Sequence, residues 1–212
     1  PGLGENAIDR LYEAIQTLRE RFGTRDLDVP PELEPIIEES VEYYGPTMGA
    51  DQARELFASP SINLGTIEGG EAINSVPQSA RAEIDIRLTA GVQTSEVLSD
   101  IRHCVGDCEG VTITDVSWSV GTAEAIDGPF VEAVASSAEA VTGERIYRRS
   151  ATGGGDAKRL RNAGIPTVEF AFGTDTVHAV DEYTPVDALV DNALVYVSLP
   201  RAFTEELGDT GR

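Results

Sequence analysis

Apolar residues first recur at helical spacing at Ile8, Leu11, Ile15, Leu18 and Phe22, which places them on one stripe of a helix. Asn6 stands where a helix cap is needed, with Asp9 three residues on. Gly23 ends the pattern. Residues 24–60 are less regular. Asp28-Val-Pro-Pro31 reads as a turn, Glu34 to Tyr44 as a short helix, and Gly45 to Pro60 as an excursion. Ser61 to Ile67 is strand-like, and the turn Glu68 to Gln78 follows it. In the clearest strand, Ala80, Ala82, Ile84, Ile86 and Leu88 alternate with Arg81, Glu83, Asp85 and Arg87. One apolar and one charged face mark a half-covered antiparallel sheet. Thr94 is placed to cap a helix built on Val97, Leu98, Ile101 and Val105, and Val111 to Val120 predicts another strand.

Helix, strand, strand, helix, strand is the ferredoxin-like βαββαβ order without its first strand. An unpaired apolar edge is a liability, so a first strand is expected upstream of Pro1. Beyond residue 122 the pattern changes. Asp127-Gly-Pro-Phe130 opens a helix with Pro129 in its first turn. Phe130, Val134, Ala138 and Val141 form its inner stripe, and Gly143 closes it. A short strand at Arg145 to Ser150, a glycine loop, a short helix, a strand from Ile165 to Phe172 and a final helix from Val186 to Glu205 complete the chain. Alternating helices and strands predict a parallel α/β sheet. The expected division is therefore 1–122 and 123–212, an α+β domain followed by an α/β part.

The charge balance narrows the partners. Asp and Glu number 37 against 16 Lys and Arg, a net charge of -21, and Lys158 is the only lysine. The acidic residues are scattered rather than blocked. Nucleic acid and anionic membranes are disfavoured partners for such a chain. A lysine-poor acidic surface is expected of a protein from a high-salt cytoplasm, where salt shortens electrostatic reach to ~3 Å at about 1 M. No apolar run is long enough for a membrane helix. Starting on proline, the sequence reads as part of a longer protein. Cys104 and Cys108 lack the redox spacing and a second pair, so they are expected to be reduced thiols at a helix end. His103 beside them reads as a surface residue.

Candidate chemistry gathers late in the chain. Gly153, Gly154 and Gly155 run into Asp156 and a short helix, a place where backbone N–H groups can meet an anion. His178 follows on a loop among acidic residues, where a neutral imidazole suits a metal. Glu38-Glu39 reads as a solvated helix face. Arg87 lies on the polar face of its strand, where by itself it reads as one half of an ordinary surface ion pair.

Taken together, Pro1-Gly-Leu-Gly-Glu-Asn-Ala-Ile8, Gly69-Gly70, Asn74-Ser-Val-Pro77, Asp85-Ile-Arg87, Gly153-Gly-Gly-Asp156, Ala163-Gly-Ile-Pro-Thr-Val168 and His178-Ala-Val-Asp-Glu-Tyr183 resemble the M20 family of metallopeptidases and N-acyl-amino-acid deacylases. The resemblance covers nearly the whole chain, with residues 24–60 matching poorly. It implies a ferredoxin-like dimerisation lid, followed by the C-terminal part of an α/β zinc-hydrolase domain. It implies a homodimer formed through the lid, and a small N-acyl amino acid as substrate. It implies two zinc ions per complete subunit, with cobalt as an alternative for one of them.

By the same resemblance, His178 matches the family's last metal ligand. Asn74 and Arg87 match lid residues that hold the substrate's carboxylate in the partner subunit's site. Gly153, Gly154 and Gly155 match a loop that offers N–H groups to the substrate, and Asp156 is expected to order that loop or cap the helix after it. The family's His-x-Asp pair, bridging Asp, Glu-Glu pair, next carboxylate ligand and lid histidine find no counterpart here. Glu38-Glu39 and Glu205-Glu206 stand in the wrong places. No catalytic residue is therefore assigned, and the expectation is a part of a cytoplasmic desuccinylase or deacetylase that is inactive alone and binds no zinc alone. The alternative is a non-catalytic dimerisation or amino-acid-binding protein of the same ancestry.

Overall fold

The computed structural model describes residues 4–151 and 155–209. Among them the elements run α1 (Ala7–Arg21), α2 (Glu34–Met48), α3 (Ala50–Ala58), β1 (Ser61–Gly69), β2 (Ala80–Arg87), α4 (Thr94–Gly106), α5 (Pro129–Thr142), α6 (Ala157–Asn162) and α7 (Val186–Asp209), with a 3-10 turn at Pro31–Leu33. The chain divides into two compact units, Pro1–Pro31 with Thr47–Gly121, and Glu32–Pro46 with Thr122–Arg212. Residues 32–46, placed by the sequence in the first domain, thus fold with the second.

The first unit is built on the β1–β2 hairpin. The strands are antiparallel, with Ser61 opposite Arg87 and Gly69 opposite Ala80, and the register is irregular between Leu64 and Thr66. Residues of β2 alternate between half-buried and exposed along its length. Leu18 of α1, Phe22 at its C-cap, Leu27, Val92 before α4 and Val97 within it form the core, joined by Ile62, Ile84, Ile86, Leu88 and Ile101. Each fully buried side chain of this size contributes about 1.5–3 kcal/mol.

Helix α1 starts as its cap predicts. The Asn6 carboxamide oxygen accepts from the N–H groups of Ile8 at 2.9 Å and Asp9 at 3.3 Å. The helix then lies close along the hairpin. A Cβ on Gly69 would meet Ile8 Cγ1 at 3.0 Å and Ala80 Cβ at 2.9 Å, and one on Gly23 would meet Ile62 Cδ1 at 3.1 Å. At 15 residues, α1 runs about 22 Å, which matches the hairpin beneath it.

Three expectations for this unit are corrected. The excursion at 45–60 holds the end of α2 and all of α3, which buries Ala53 and Phe57. Phe57 accepts a hydrogen bond on its carbonyl from Thr89 Oγ1 at 2.6 Å, and Ala58 accepts one from the Leu27 N–H at 2.7 Å. Thr94 does not cap α4. Gln93 holds that position without a side-chain hydrogen bond, and Thr94 is the first helical residue. Residues 111–120 form no strand. In a split βαβ unit another strand separates β2 from the strand after α4. No such strand exists among the described residues, so 111–120 has no ladder to join.

The second unit packs α5 against α7. Gly128 precedes α5, Pro129 is its first residue, and Gly143 ends it at φ 71. Ala133 and Ala138 of α5 and Val195 of α7 are fully buried, and Phe130 meets Phe203 edge-on at 5.3 Å. Among the described residues the expected strands at 145–150 and 165–172 do not form, and neither does the parallel sheet. Backbone N–H groups withdrawn from water need partners, and side chains supply them to these segments. Ile146 donates to Glu139 Oε1, Arg148 to Glu39 Oε2, Ser150 to Ser40 Oγ, Thr167 to Glu124 Oε1 and Phe172 to Asn192 Oδ1.

Helix α7 has a second apolar stripe that nothing in the unit covers. Val186, Leu189, Val190, Leu194 and Val197 recur at three and four, and each is at least half exposed. No helix among the described residues is long and apolar enough to cross a membrane.

Candidate functional site

The candidate residues fall in both units, and each is positioned by its own surroundings. In the first unit, Asn74 lies in the connection between β1 and β2, exposed, inside a turn closed by the Ser75 N–H donating to the Ala72 carbonyl at 3.1 Å. That connection sits at the start of α1, where the Ala7 N–H donates to the Pro77 carbonyl at 3.1 Å. Arg87 occupies the opposite end of β2, across from Ser61. The strand between Ala80 and Arg87 spans roughly 24 Å. The fold therefore places Asn74 and Arg87 at opposite ends of the hairpin rather than side by side.

Arg87 points to the polar face, as its strand position predicts, and Nε donates to Asp85 Oδ2 at 2.8 Å. Its side chain is 49% exposed. The guanidinium is thus oriented by a neighbour two residues away and still has free N–H directions for an incoming carboxylate. Arg81 repeats the arrangement with Glu83 at 2.9 Å.

In the second unit, Gly153 and Gly154 lie outside the described residues. Gly155 is described, and it lies close against an exposed side chain. A Cβ there would run into the Glu169 carboxylate. Asp156 stands at the N-cap of α6, but its side chain makes no capping hydrogen bond. The expectation that it caps that helix is not met.

His178 is exposed and sits in the left-handed region at φ 65, and Asp181 follows at φ 62. Left-handed backbone at residues with a side chain costs of order 1–3 kcal/mol each and persists where surroundings over-determine it. Here the surroundings are hydrogen bonds. The His178 N–H donates to Glu182 Oε2 at 3.1 Å. Thr174 Oγ1 donates to the Tyr183 carbonyl at 2.7 Å, and the Tyr183 N–H donates to Thr176 Oγ1 at 3.2 Å. The loop closes on itself and turns the imidazole outward.

A zinc centre needs several ligands converging on one point. Among the described residues no group of three or more His, Cys, Asp or Glu converges in that way. His178 offers one imidazole, and the residues described here do not amount to a two-zinc site. Cys104 and Cys108 are free, half-buried thiols at the end of α4, as expected, and Cys108 Sγ donates weakly to the Cys104 carbonyl at 3.5 Å. His103 is exposed on the same helix.

One residue read as solvated is instead structural. Glu39 Oε2 accepts the Arg148 N–H at 2.6 Å, and Oε1 pairs with Arg145 at 3.6 Å. The signal was present in its neighbours, since Ile36, Ile37, Ser40 and Val41 are all buried. Arg148 was also missed. Its guanidinium grips Glu132 with two bonds of 2.6 and 2.7 Å.

Comparison with known proteins agrees with this architecture. The M20_dimer family model, described as the peptidase dimerisation domain, matches residues 1–108. The succinyl-diaminopimelate desuccinylase of Caulobacter sp. strain K31 is 30% identical over 153 residues, covering 70% of this chain and 40% of its own length. A probable carboxypeptidase of Paracoccidioides lutzii is 34% identical over 107 residues, 50% of this chain and 20% of the relative. This chain therefore spans well under half the length of either relative. Among solved structures, the M20 family metallo-carboxypeptidase Sso-CP2 of Sulfolobus solfataricus superposes with a TM-score of 0.70 at 18% identity, over 95% of this chain and 53% of that one. The dipeptidase Dug1p of Saccharomyces cerevisiae superposes at 0.59 and 12% identity, over 96% and 50%. At such identities the two structures establish likeness of fold. With the dimerisation-domain model matched over half of its residues, the chain belongs to the M20 peptidase family.

Proposed function

We propose that this chain is part of an M20-type amidohydrolase that removes an acyl group from an N-acyl amino acid, of the desuccinylase or deacetylase kind. The observation that carries the reading is the similarity to a desuccinylase over 70% of the chain, a span that reaches past the dimerisation domain. In this reading residues 1–122 form the dimerisation lid and pair two copies, and residues from 123 contribute to the catalytic domain. The remaining metal ligands and the proton-transferring carboxylate come from sequence outside this chain, so the chain alone neither hydrolyses substrate nor holds a zinc pair.

The residues have distinct tasks. Arg87 binds a substrate carboxylate, for which a half-exposed guanidinium already oriented by Asp85 is well suited. Asn74 offers a carboxamide from the far end of the same hairpin. Gly155, with Gly153 and Gly154, presents backbone N–H groups to the substrate. His178 presents an imidazole for zinc from a loop whose strained backbone is held by Glu182. The acidic, lysine-poor composition supports a salty cytoplasm as the setting.

The test uses the natural full-length protein. Zinc content and N-succinyl- and N-acetyl-amino-acid hydrolysis are measured for the parent, His178→Ala and Arg87→Ala. The expected outcome is lower zinc content and no hydrolysis for His178→Ala. For Arg87→Ala, KM should rise with binding weakened by about 1.5–3 kcal/mol. Full zinc occupancy in His178→Ala would refute its assignment as a ligand. A parent that binds amino acids without hydrolysing either substrate would refute the enzymatic reading.

A further inference from the structure

Residues 145–150 were expected to be a strand, and their backbone is nonetheless supplied with partners along one side. In an extended segment, N–H groups of alternate residues point the same way. Those of Ile146, Arg148 and Ser150 are all occupied, by Glu139 Oε1 at 3.2 Å, Glu39 Oε2 at 2.6 Å and Ser40 Oγ at 2.9 Å. Two of the three acceptors belong to α2, one turn of which faces the segment.

Ser40 is fully buried, and its hydroxyl is used twice. It accepts from the Ser150 N–H and donates to the Ile36 carbonyl at 2.6 Å. Around this line the side chains interlock. Arg145 pairs with Glu42 at 2.6 Å, and Arg149 donates to Tyr44 and lies 4.7 Å from the Tyr43 ring. Arg148 is anchored from the other side by Glu132 of α5.

We propose that residues 34–46 of α2 are a strap that takes the place of a neighbouring strand along 145–150, with Glu39 and Ser40 as the positioning residues. A helix cannot offer a ladder of backbone carbonyls sideways, since its own turns use them. A carboxylate and a hydroxyl from adjacent helical positions do the same work at alternate residues of the segment. The strap closes this side to pairing with any other chain, which is one of the ways proteins protect an edge. It also fixes the backbone of Ser150.

The test is amide hydrogen exchange, followed by NMR on the 212-residue chain, in Glu39→Ala, Glu39→Gln, Ser40→Ala and Ser40→Thr. Loss of one such hydrogen bond should raise local exchange about two- to tenfold. Glu39→Ala should raise exchange at Arg148, and Glu39→Gln, which keeps an acceptor oxygen, should not. Ser40→Ala should raise exchange at Ser150, and Ser40→Thr should restore it. The Ile146 amide, held by Glu139 of α5, is the internal control and should not move. Unchanged protection at Arg148 and Ser150 in the alanine variants would overturn the strap. A uniform rise at all three amides would also overturn it, by assigning the effect to the fold as a whole.

Discussion

Asn192 serves Phe172 with both ends of its carboxamide. Its Oδ1 accepts the Phe172 N–H at 2.7 Å, and its Nδ2 donates to the Phe172 carbonyl at 2.9 Å. One side chain of α7 thus replaces the pair of bonds that a neighbouring strand would make. Asn192→Leu should cost about 1–2 kcal/mol, because two partly buried backbone groups lose their partners. Asn192→Asp should cost at least as much, since it keeps the acceptor but sets a carboxylate against the Phe172 carbonyl. Urea unfolding of the two variants beside the parent sequence checks the order.

The loop around His178 gives a second expectation. Asp181 lies at φ 62, where glycine is at ease and a branched side chain is not. Asp181→Gly should leave stability unchanged or raise it by up to about 1 kcal/mol. Asp181→Val should lower it by more than that. Thermal unfolding distinguishes the pair, and equal effects of both would mean that the left-handed geometry is not what this position selects.

The outer stripe of α7 should be detectable in solution. Val186, Leu189, Val190, Leu194 and Val197 make a contiguous exposed apolar surface, and such patches bind hydrophobic dyes and promote association. The 212-residue chain should enhance the fluorescence of such a dye while folded. Leu189→Ser with Val197→Ser should reduce that signal by about half or more. An unaltered signal would place the dye elsewhere on the molecule.

Salt should stabilise the chain. At a net charge of -21, compact states repel themselves, and the repulsion falls as screening shortens to ~3 Å at about 1 M. The midpoint of thermal unfolding should rise by several degrees between about 0.1 M and about 1 M potassium chloride. A flat or falling midpoint would mean that the internal ion pairs, such as Arg145 with Glu42 and Arg148 with Glu132, outweigh the general repulsion.

Periodicity located α1, β2, α4 and α5, because each turns inward an apolar stripe that its sequence spells out, whereas β1 and α7 were placed by composition and order and bury little along their length. Phe22, Leu18 and Ile84 mark their own inward faces. The misses share a cause. Residues 111–120, 145–150 and 165–172 have strand-like composition, but a strand is a relation between two segments, and composition describes only one. Where no second segment lies alongside, Glu39, Ser40, Glu124 and Asn192 fill the gap, and nothing in a glutamate or a serine announces that task. Residues 32–46 were misassigned to the first domain for the same reason. Their attachment runs through Arg148 and Ser150, more than a hundred residues away. For the candidate site, the loop position of His178 and the polar-face position of Arg87 were legible from spacing. The left-handed backbone at His178 and the distance between Asn74 and Arg87 emerged only in three dimensions.

The contact between Gly155 and Glu169 ties two distant positions of the gene together. A Cβ at 155 would take the place where the Glu169 carboxylate now sits. That carboxylate is the end of an exposed, flexible side chain, so an alanine at 155 is admitted once Glu169 swings to another rotamer. The two positions are therefore coupled through where one side chain points rather than through which residue stands at 169.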